Sequence, residues 1–167
     1  MAEGKTATST AMRVRVWLAR ALVFIVFAIN LYCIFVFIVF PENHIRAYEL
    51  TGVAGIAAIQ GIGVAFLMWN VTYPLVIVSP GKFRILFLIV IIQQIVGLLG
   101  ESYILFSLPE GYPVLHGNIL RFIAFDAGGL VLLVTGFFLS RTGRGKRKAQ
   151  NSQDQQTDTV GSRIEEE

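Results

Sequence analysis

The chain has 167 residues, of which 54% are hydrophobic and only 15% are charged, and its net charge is +3. Soluble domains carry about 25% charged residues, so a soluble fold of this length is excluded by its apolar surface. The length suits a single domain, and the one cysteine, Cys33, excludes an internal disulfide and a cysteine metal site. We therefore predict an all-α integral membrane protein.

The N-terminal part predicts a polar segment followed by a first transmembrane helix. Residues 1–11 are small and polar, and we expect them to be disordered. An apolar run at about 18–40 follows the positive flank of Arg13 and Arg15. This order also resembles a signal peptide, but the run is longer than the about 7–15 residues of a signal core and no cleavage site follows. A retained helix is the better interpretation.

The second apolar span, about 50–69, is rich in glycine. Small residues let helices approach closely, so we expect these glycines to pack against another helix and to accept alanine better than leucine. They are Gly52, Gly55, Gly61 and Gly63. Trp69, Asn70 and Tyr73 then predict a membrane interface, and Pro74 argues against continuation. We expect residues 74–83 to lie in that interface without crossing.

The third and fourth spans, about 85–106 and 119–139, complete a four-transmembrane-helix domain over residues 12–140. The third span is about 33 Å long as a helix, which matches the thickness of a bilayer. It contains Gln93, Gln94 and Glu101, and the fourth contains Arg121 and Asp126. Polar side chains within lipid need partners, so each helix must pack against others that supply them.

Lysine and arginine are concentrated on one side of this topology. They occur before the first span, between the second and third, and after the fourth, whereas the other two connections hold only Arg46 and Arg121. The positive-inside rule therefore predicts that both termini are cytoplasmic. Residues 141–167 form a basic cluster and a disordered tail. The cluster is expected to bind anionic lipids rather than nucleic acid, through Arg141, Arg144, Lys146, Arg147 and Lys148.

Seven polar residues of the spans are candidates for a ligand or proton site. By helical rise, four lie near the midplane and three nearer the outer face. They are Asn30, Gln60, Gln93 and Gln94, and then Glu101, Arg121 and Asp126. The alternative interpretation is that the amides bond helix to helix and that Glu101 pairs with Arg121, which leaves Asp126 for ligand or proton chemistry.

The sequence carries no motif of a catalytic or metal centre. It contains no HExxH and no glycine-rich phosphate loop before a basic residue. We predict no catalytic residue, no metal ligand and no resident cofactor.

The second half of the chain resembles a family of small bacterial and archaeal membrane proteins. The resemblance rests on PGKFRILFLIVIIQQIVGLLGESYIL, a short loop containing Gly-Tyr, and RFIAFDAGGLVLL. This layout is similar to that of the DoxX-like proteins and the related BphX-like proteins. The resemblance implies a four-helix bundle and suggests a link to membrane redox or quinone systems.

Two functions from different classes fit these observations. The first is a small non-enzymatic binding or accessory subunit of the cytoplasmic membrane, whose ligand or partner contacts the polar track. The alternative is a redox or quinone-related enzyme component, in which Glu101 and Asp126 handle protons. Four short spans leave little room for a secondary transporter, so a protein of this kind that moved a substrate would have to form a homo-oligomer or join a larger membrane complex.

Overall fold

The computed structural model describes residues 3–140, and within them every regular element is helical. Two short 3-10 turns, Pro41–Asn43 and Ile45–Tyr48, connect the first two α-helices. The α-helices are α1 Glu3–Val39, α2 Gly52–Asn70, α3 Tyr73–Val78, α4 Arg84–Ser107 and α5 Pro113–Ser140.

Four segments of the described chain are long and apolar enough to cross a bilayer. They are Thr10–Val39, Gly52–Val78, Arg84–Ser107 and Pro113–Ser140. The predicted all-α fold with four long apolar helices is confirmed. The second segment combines α2 and α3 in one span. The prediction from the sequence had divided this region into a shorter helix, about 50–69, and an interfacial connection.

The helices form a bundle with one open side. α1 packs against α2, α3 and α5, and α4 packs against α5 and α3. α2 has no extended packing against α4. The arrangement therefore closes on three sides and leaves a gap between α2 and α4.

The apolar core fills the half of the bundle that contains α3. Its fully buried side chains come from α1, α3, α4 and α5. Among the largest are Val26, Val76, Phe87 and Leu133, all with no exposed surface or nearly none. In this half of the bundle α3 covers α4. In the other half α2 does not cover α4, and the bundle is open there.

Basic side chains gather at the core end of the bundle, which we name the basic end. Arg20 of α1 donates from Nη2 to the carbonyl oxygen of Val78 at 2.6 Å, and the Arg84 guanidinium lies 5.4 Å from the Phe137 ring centre. The N-terminal part of α1, the connection after α3 and the end of α5 therefore meet at one end. The segment 141–167, with its predicted lipid-binding cluster, lies outside the described residues.

The opposite end is held by a contact between a connection and a helix start. Glu49 adopts a left-handed conformation, with φ 54°, and its Oε1 accepts a hydrogen bond from the backbone N–H of Val114 at 3.2 Å. Val114 lies in the first turn of α5, where a carboxylate also interacts favourably with the helix dipole. Nearby, burial raises the pKa of Tyr48 to about 12, so its hydroxyl stays protonated.

Two helix starts differ from the sequence-based bounds. α1 begins at Glu3, within the segment expected to be disordered. α5 begins at Pro113 rather than near residue 119, because a proline fits the first turn of a helix, where its missing N–H is not needed. Asp126 consequently lies about 20 Å from the start of its helix, near the middle, instead of about 10 Å.

Only some of the glycines of α2 pack closely against other parts of the chain. A Cβ at Gly63 would lie 2.8 Å from Ile38 Cγ1 and 3.1 Å from Phe37 Cβ, and one at Gly55 would lie 2.9 Å from the Leu50 Cβ. A Cβ at Gly61 would meet nothing within 4 Å. The expectation of close packing is therefore wrong for Gly61, which faces outward.

We expect Gly63→Ala to lower the free energy of unfolding by about 1–3 kcal/mol, because the new methyl group overpacks the contact with α1. Gly61→Ala is the matched control and should be neutral or stabilising by up to about 1 kcal/mol, since alanine favours a helix. Unfolding of detergent-solubilised protein, followed by circular dichroism, measures both. Equal stability of the two variants would contradict the close approach of α2 to α1.

Candidate ligand-binding cleft

The open side of the bundle forms a cleft of about 280 Å³ between α2 and α4. Its polar lining residues are Asn30, Asn70, Gln93, Gln94, Glu101 and Asp126. Its aromatic lining residues are Phe66, Trp69 and Tyr73, and the rest of the wall is Val96, Gly97, Gly100 and Ile104. All five helices therefore contribute side chains to one space.

A pair of buried asparagines joins α1 to α2 at the base of the cleft. Asn30 donates from Nδ2 to Asn70 Oδ1 at 3.0 Å, and Asn70 donates from Nδ2 to the carbonyl oxygen of Phe66 at 2.8 Å. Asn30 is 8% exposed and Asn70 4%. Both amides have partners, so this pair bonds helix to helix and fixes the rotation of α2 against α1.

A second pair joins α4 to α5. Gln94 donates from Nε2 to Asp126 Oδ1 at 2.9 Å and lies 3.3 Å from the carbonyl oxygen of Asp126. Two glycines make room for these side chains. A Cβ at Gly97 would lie 2.7 Å from Asp126 Oδ2, and a Cβ at Gly129 would lie 3.0 Å from Gln94 Nε2.

The helix of the second span is interrupted beside the cleft. α2 ends at Asn70 and α3 begins at Tyr73 with Pro74 in its first turn. Thr72 Oγ1 lies 3.5 Å from the carbonyl oxygen of Trp69, which takes part in the turn. Asn70 and Tyr73 are buried within the bundle, at 4% and 3% exposure, and lie inside the candidate span Gly52–Val78, whereas the sequence predicted that they mark a membrane interface. An interruption of a transmembrane helix is tolerated where it lines a cavity, and both residues line the cleft.

Two oxygen atoms of the cleft residues lack partners within the described chain. Glu101 Oε2 and Gln93 Oε1 are both buried and have no hydrogen-bond partner. Leaving a buried polar atom unpaired costs about 1–3 kcal/mol, and more if it is charged. Three other buried atoms of the described chain also lack a partner: Arg20 Nε, Glu49 Oε2 and Asn118 Nδ2. Glu101 and Gln93 differ from these in that they line the cleft.

The structure brings together five of the seven predicted site residues. Asn30, Gln93, Gln94, Glu101 and Asp126 all line the cleft. Gln60 is exposed and donates from Nε2 to the carbonyl oxygen of Ile38 at 3.2 Å, away from the cleft.

Arg121 does not form the expected ion pair with Glu101. Its side chain is exposed, and Glu101 Oε2 has no partner in residues 3–140. Arg121 and Asp126 are five residues apart, which places them about 140° apart around α5. Because Asp126 faces α4, Arg121 lies on the side of α5 that faces away from α4.

Of the eight lining residues that were missed at the level of sequence, four belong to the second span: Phe66, Trp69, Asn70 and Tyr73. The sequence does indicate their position, because the apolar residues 75–78 continue the second span beyond Pro74. Had that run been counted as part of the span, Asn70 would have been placed inside the bundle, where an amide needs a partner.

The chemistry available in the cleft is that of carboxylates, amides and aromatic rings. No lysine, arginine or histidine is among its lining residues. Within the described chain, no group of three or more His, Cys, Asp or Glu side chains is placed to hold a metal ion. The cleft is thus rich in hydrogen-bond acceptors and poor in positive charge.

Comparison of the chain with protein-family models, with curated proteins and with solved structures gives no match. The DoxX-like resemblance stays a prediction that these comparisons leave untested. The cleft must therefore be interpreted from its own geometry.

We expect Gly97→Ala to destabilise the bundle by about 1–3 kcal/mol, because its methyl group would displace the Asp126 carboxylate from Gln94. Gly100→Ala is the control on the same helix, since a Cβ there meets nothing within 4 Å. Chemical unfolding in detergent compares the two. If Gly97→Ala is as stable as Gly100→Ala, the close approach between Gly97 and Asp126 is not present in solution.

Proposed function

We propose that the protein is a multi-pass protein of the cytoplasmic membrane with both termini in the cytoplasm. Its outer surface supports this, because large apolar side chains such as Ile85, Tyr103 and Phe106 are 75–88% exposed. Contiguous apolar surface of this kind is rare on soluble monomers. The basic end would face the cytoplasm, where Arg20 and Arg84 lie within reach of anionic headgroups.

Within that membrane, its function is to bind a small lipophilic molecule by its polar group in the cleft, without catalysing a reaction. The observation that carries this proposal is the pair of buried, unpartnered oxygens, Glu101 Oε2 and Gln93 Oε1, in a cleft of about 280 Å³. The two satisfied pairs, Asn30 with Asn70 and Gln94 with Asp126, account for helix association. Glu101 and Gln93 contribute no such bond within residues 3–140, and both line the cleft.

The size of the cleft suits a head group rather than a whole lipid. Its volume of about 280 Å³ lies just below the about 300–1,000 Å³ of typical small-molecule pockets. The opening between α2 and α4 lets a hydrocarbon chain remain outside the bundle. A ligand of this shape is typical of a binding or accessory subunit that presents or protects a membrane-soluble molecule.

The second candidate is a redox component that acts on a quinone. It is favoured by the position of Glu101 and Asp126 on one cleft, because a quinone takes up protons when it is reduced. The two candidates differ in what purified protein contains. A quinone extracted from it, with its ultraviolet absorbance, would favour the redox component.

Filling the cleft tests the binding function. Gly100→Leu should abolish retention of the native ligand, because a Cβ at Gly100 is free of clashes and its side chain would occupy the cleft. Gly61→Leu is the matched control, since it adds the same side chain at an equally open site outside the cleft. Mass spectrometry of lipid extracts from both purified variants gives the measurement. The proposal fails if both retain the same molecules as the wild type, or if the wild type retains none.

Labelling of single cysteines tests the orientation. In a Cys33→Ala background, cysteines at Asn43 and Glu110 should react with an impermeant maleimide in intact cells, because both lie in connections opposite the basic end. Cysteines at Gly81 and Gln150 should react only after the cells are opened. Labelling of Gly81 variants in intact cells would reverse the orientation.

A further inference from the structure

We propose that the ligand is a lipophilic cation, a membrane-soluble ammonium compound, which enters the cleft sideways between α2 and α4. This inference rests on the proposed binding function and adds to it the charge of the ligand and its route.

Charge is the first argument. Two carboxylates, Glu101 and Asp126, line the cleft, and no basic side chain among the lining residues balances them. The nearest basic residue along α5, Arg121, is exposed and faces away. A carboxyl group in apolar surroundings is costly to ionise unless a positive charge lies beside it. A cation bound between Glu101 and Asp126 therefore stabilises their ionised forms and is held by them.

The aromatic side chains give the second argument. A Cβ built at Gly97 would lie 2.7 Å from Asp126 Oδ2, and 3.7 Å and 3.8 Å from Cη2 and Cζ3 of the Trp69 ring. A carboxylate oxygen and an indole ring therefore flank the same point in the cleft wall. Aromatic rings attract cations through their π faces, most strongly in tryptophan, and alkylammonium groups are recognised in this way.

The hydrogen-bond pattern favours an occupant that donates. The buried cleft atoms without a partner in residues 3–140 are the oxygens Glu101 Oε2 and Gln93 Oε1. A carboxylate or sulfonate group carries only acceptors at neutral pH and offers these two oxygens no hydrogen bond. A neutral apolar group would leave both oxygens unpaired, at the cost of burying them.

The route follows from the open side of the bundle. α2 and α4 have no extended packing, and Val96 and Ile104 at the cleft are 55% and 50% exposed. Gly100 lies between them in the sequence and has no side chain to narrow the gap. Nothing lies within 4 Å of its Cβ position. An amphiphile already dissolved in the bilayer reaches the carboxylates through this gap with its chain still in the lipid.

Equilibrium binding of radiolabelled octylammonium to the full chain tests the proposal, in nanodiscs of digalactosyldiacylglycerol, a neutral lipid without an ammonium group, and with empty nanodiscs as the background. Unlabelled octylammonium should displace the label at least about tenfold more effectively than octanol or octanesulfonate, which keep the chain and change the head group. Glu101→Gln and Asp126→Asn should each weaken binding by about tenfold or more, and Trp69→Leu by several-fold. Glu110→Gln, an exposed acid outside the cleft, should bind as the wild type does.

The outcomes separate this inference from the proposed function. Equal displacement by all three head groups, blocked by Gly100→Leu, would overturn the preference for cations and keep a binding cleft. Wild-type affinity in both Glu101→Gln and Asp126→Asn would also overturn it. If no probe binds and no native lipid is retained, the proposed function itself fails. Should Asp126→Asn not fold, Glu101→Gln and the head-group series decide the question.

Discussion

The bundle depends on the rule that a polar group enclosed by apolar helices must find its partner within the protein. Gln94 with Asp126 and Asn30 with Asn70 obey this rule, and each pair crosses from one helix to another. Interhelical hydrogen bonds of this kind contribute about 0.6 kcal/mol on average, which is small. Their larger effect is to fix which face each helix presents, because a rotated helix would leave an amide or a carboxylate without a partner.

The two halves of the bundle differ in how completely they are packed. At the basic end, α3 fills the space beside α1 and α4, and the side chains of Val76 and Phe87 are fully buried. Towards the other end, α2 packs on α1 through Gly63 and leaves α4 uncovered. The packed half can thus hold the helices in place, whereas the open half contains buried oxygens of Glu101 and Gln93 without a partner in residues 3–140.

Composition and hydropathy were sufficient to predict four apolar helices, because their length and polarity are properties of single segments. The same applies to Gln94 and Asp126, which stand out in apolar runs. The helix face on which each polar side chain meets a neighbouring helix was harder to predict. The pairing of Arg121 with Glu101 assumed that similar depth means contact, whereas five residues of helical rotation separate Arg121 from the face that carries Asp126. Tyr73 was misplaced because Pro74 was interpreted as the end of a span, although a proline in the first turn of α3 permits a new helix to start.

The shortness of α3 makes its position depend on its neighbours. Its six residues are fewer than the about 12–15 that an isolated helix in water needs for stability. α3 packs against α1 and α4, and Arg20 donates to its last carbonyl oxygen. Because α4 follows α3 in the chain, the contacts that hold α3 beside the cleft are complete only when the third span is present.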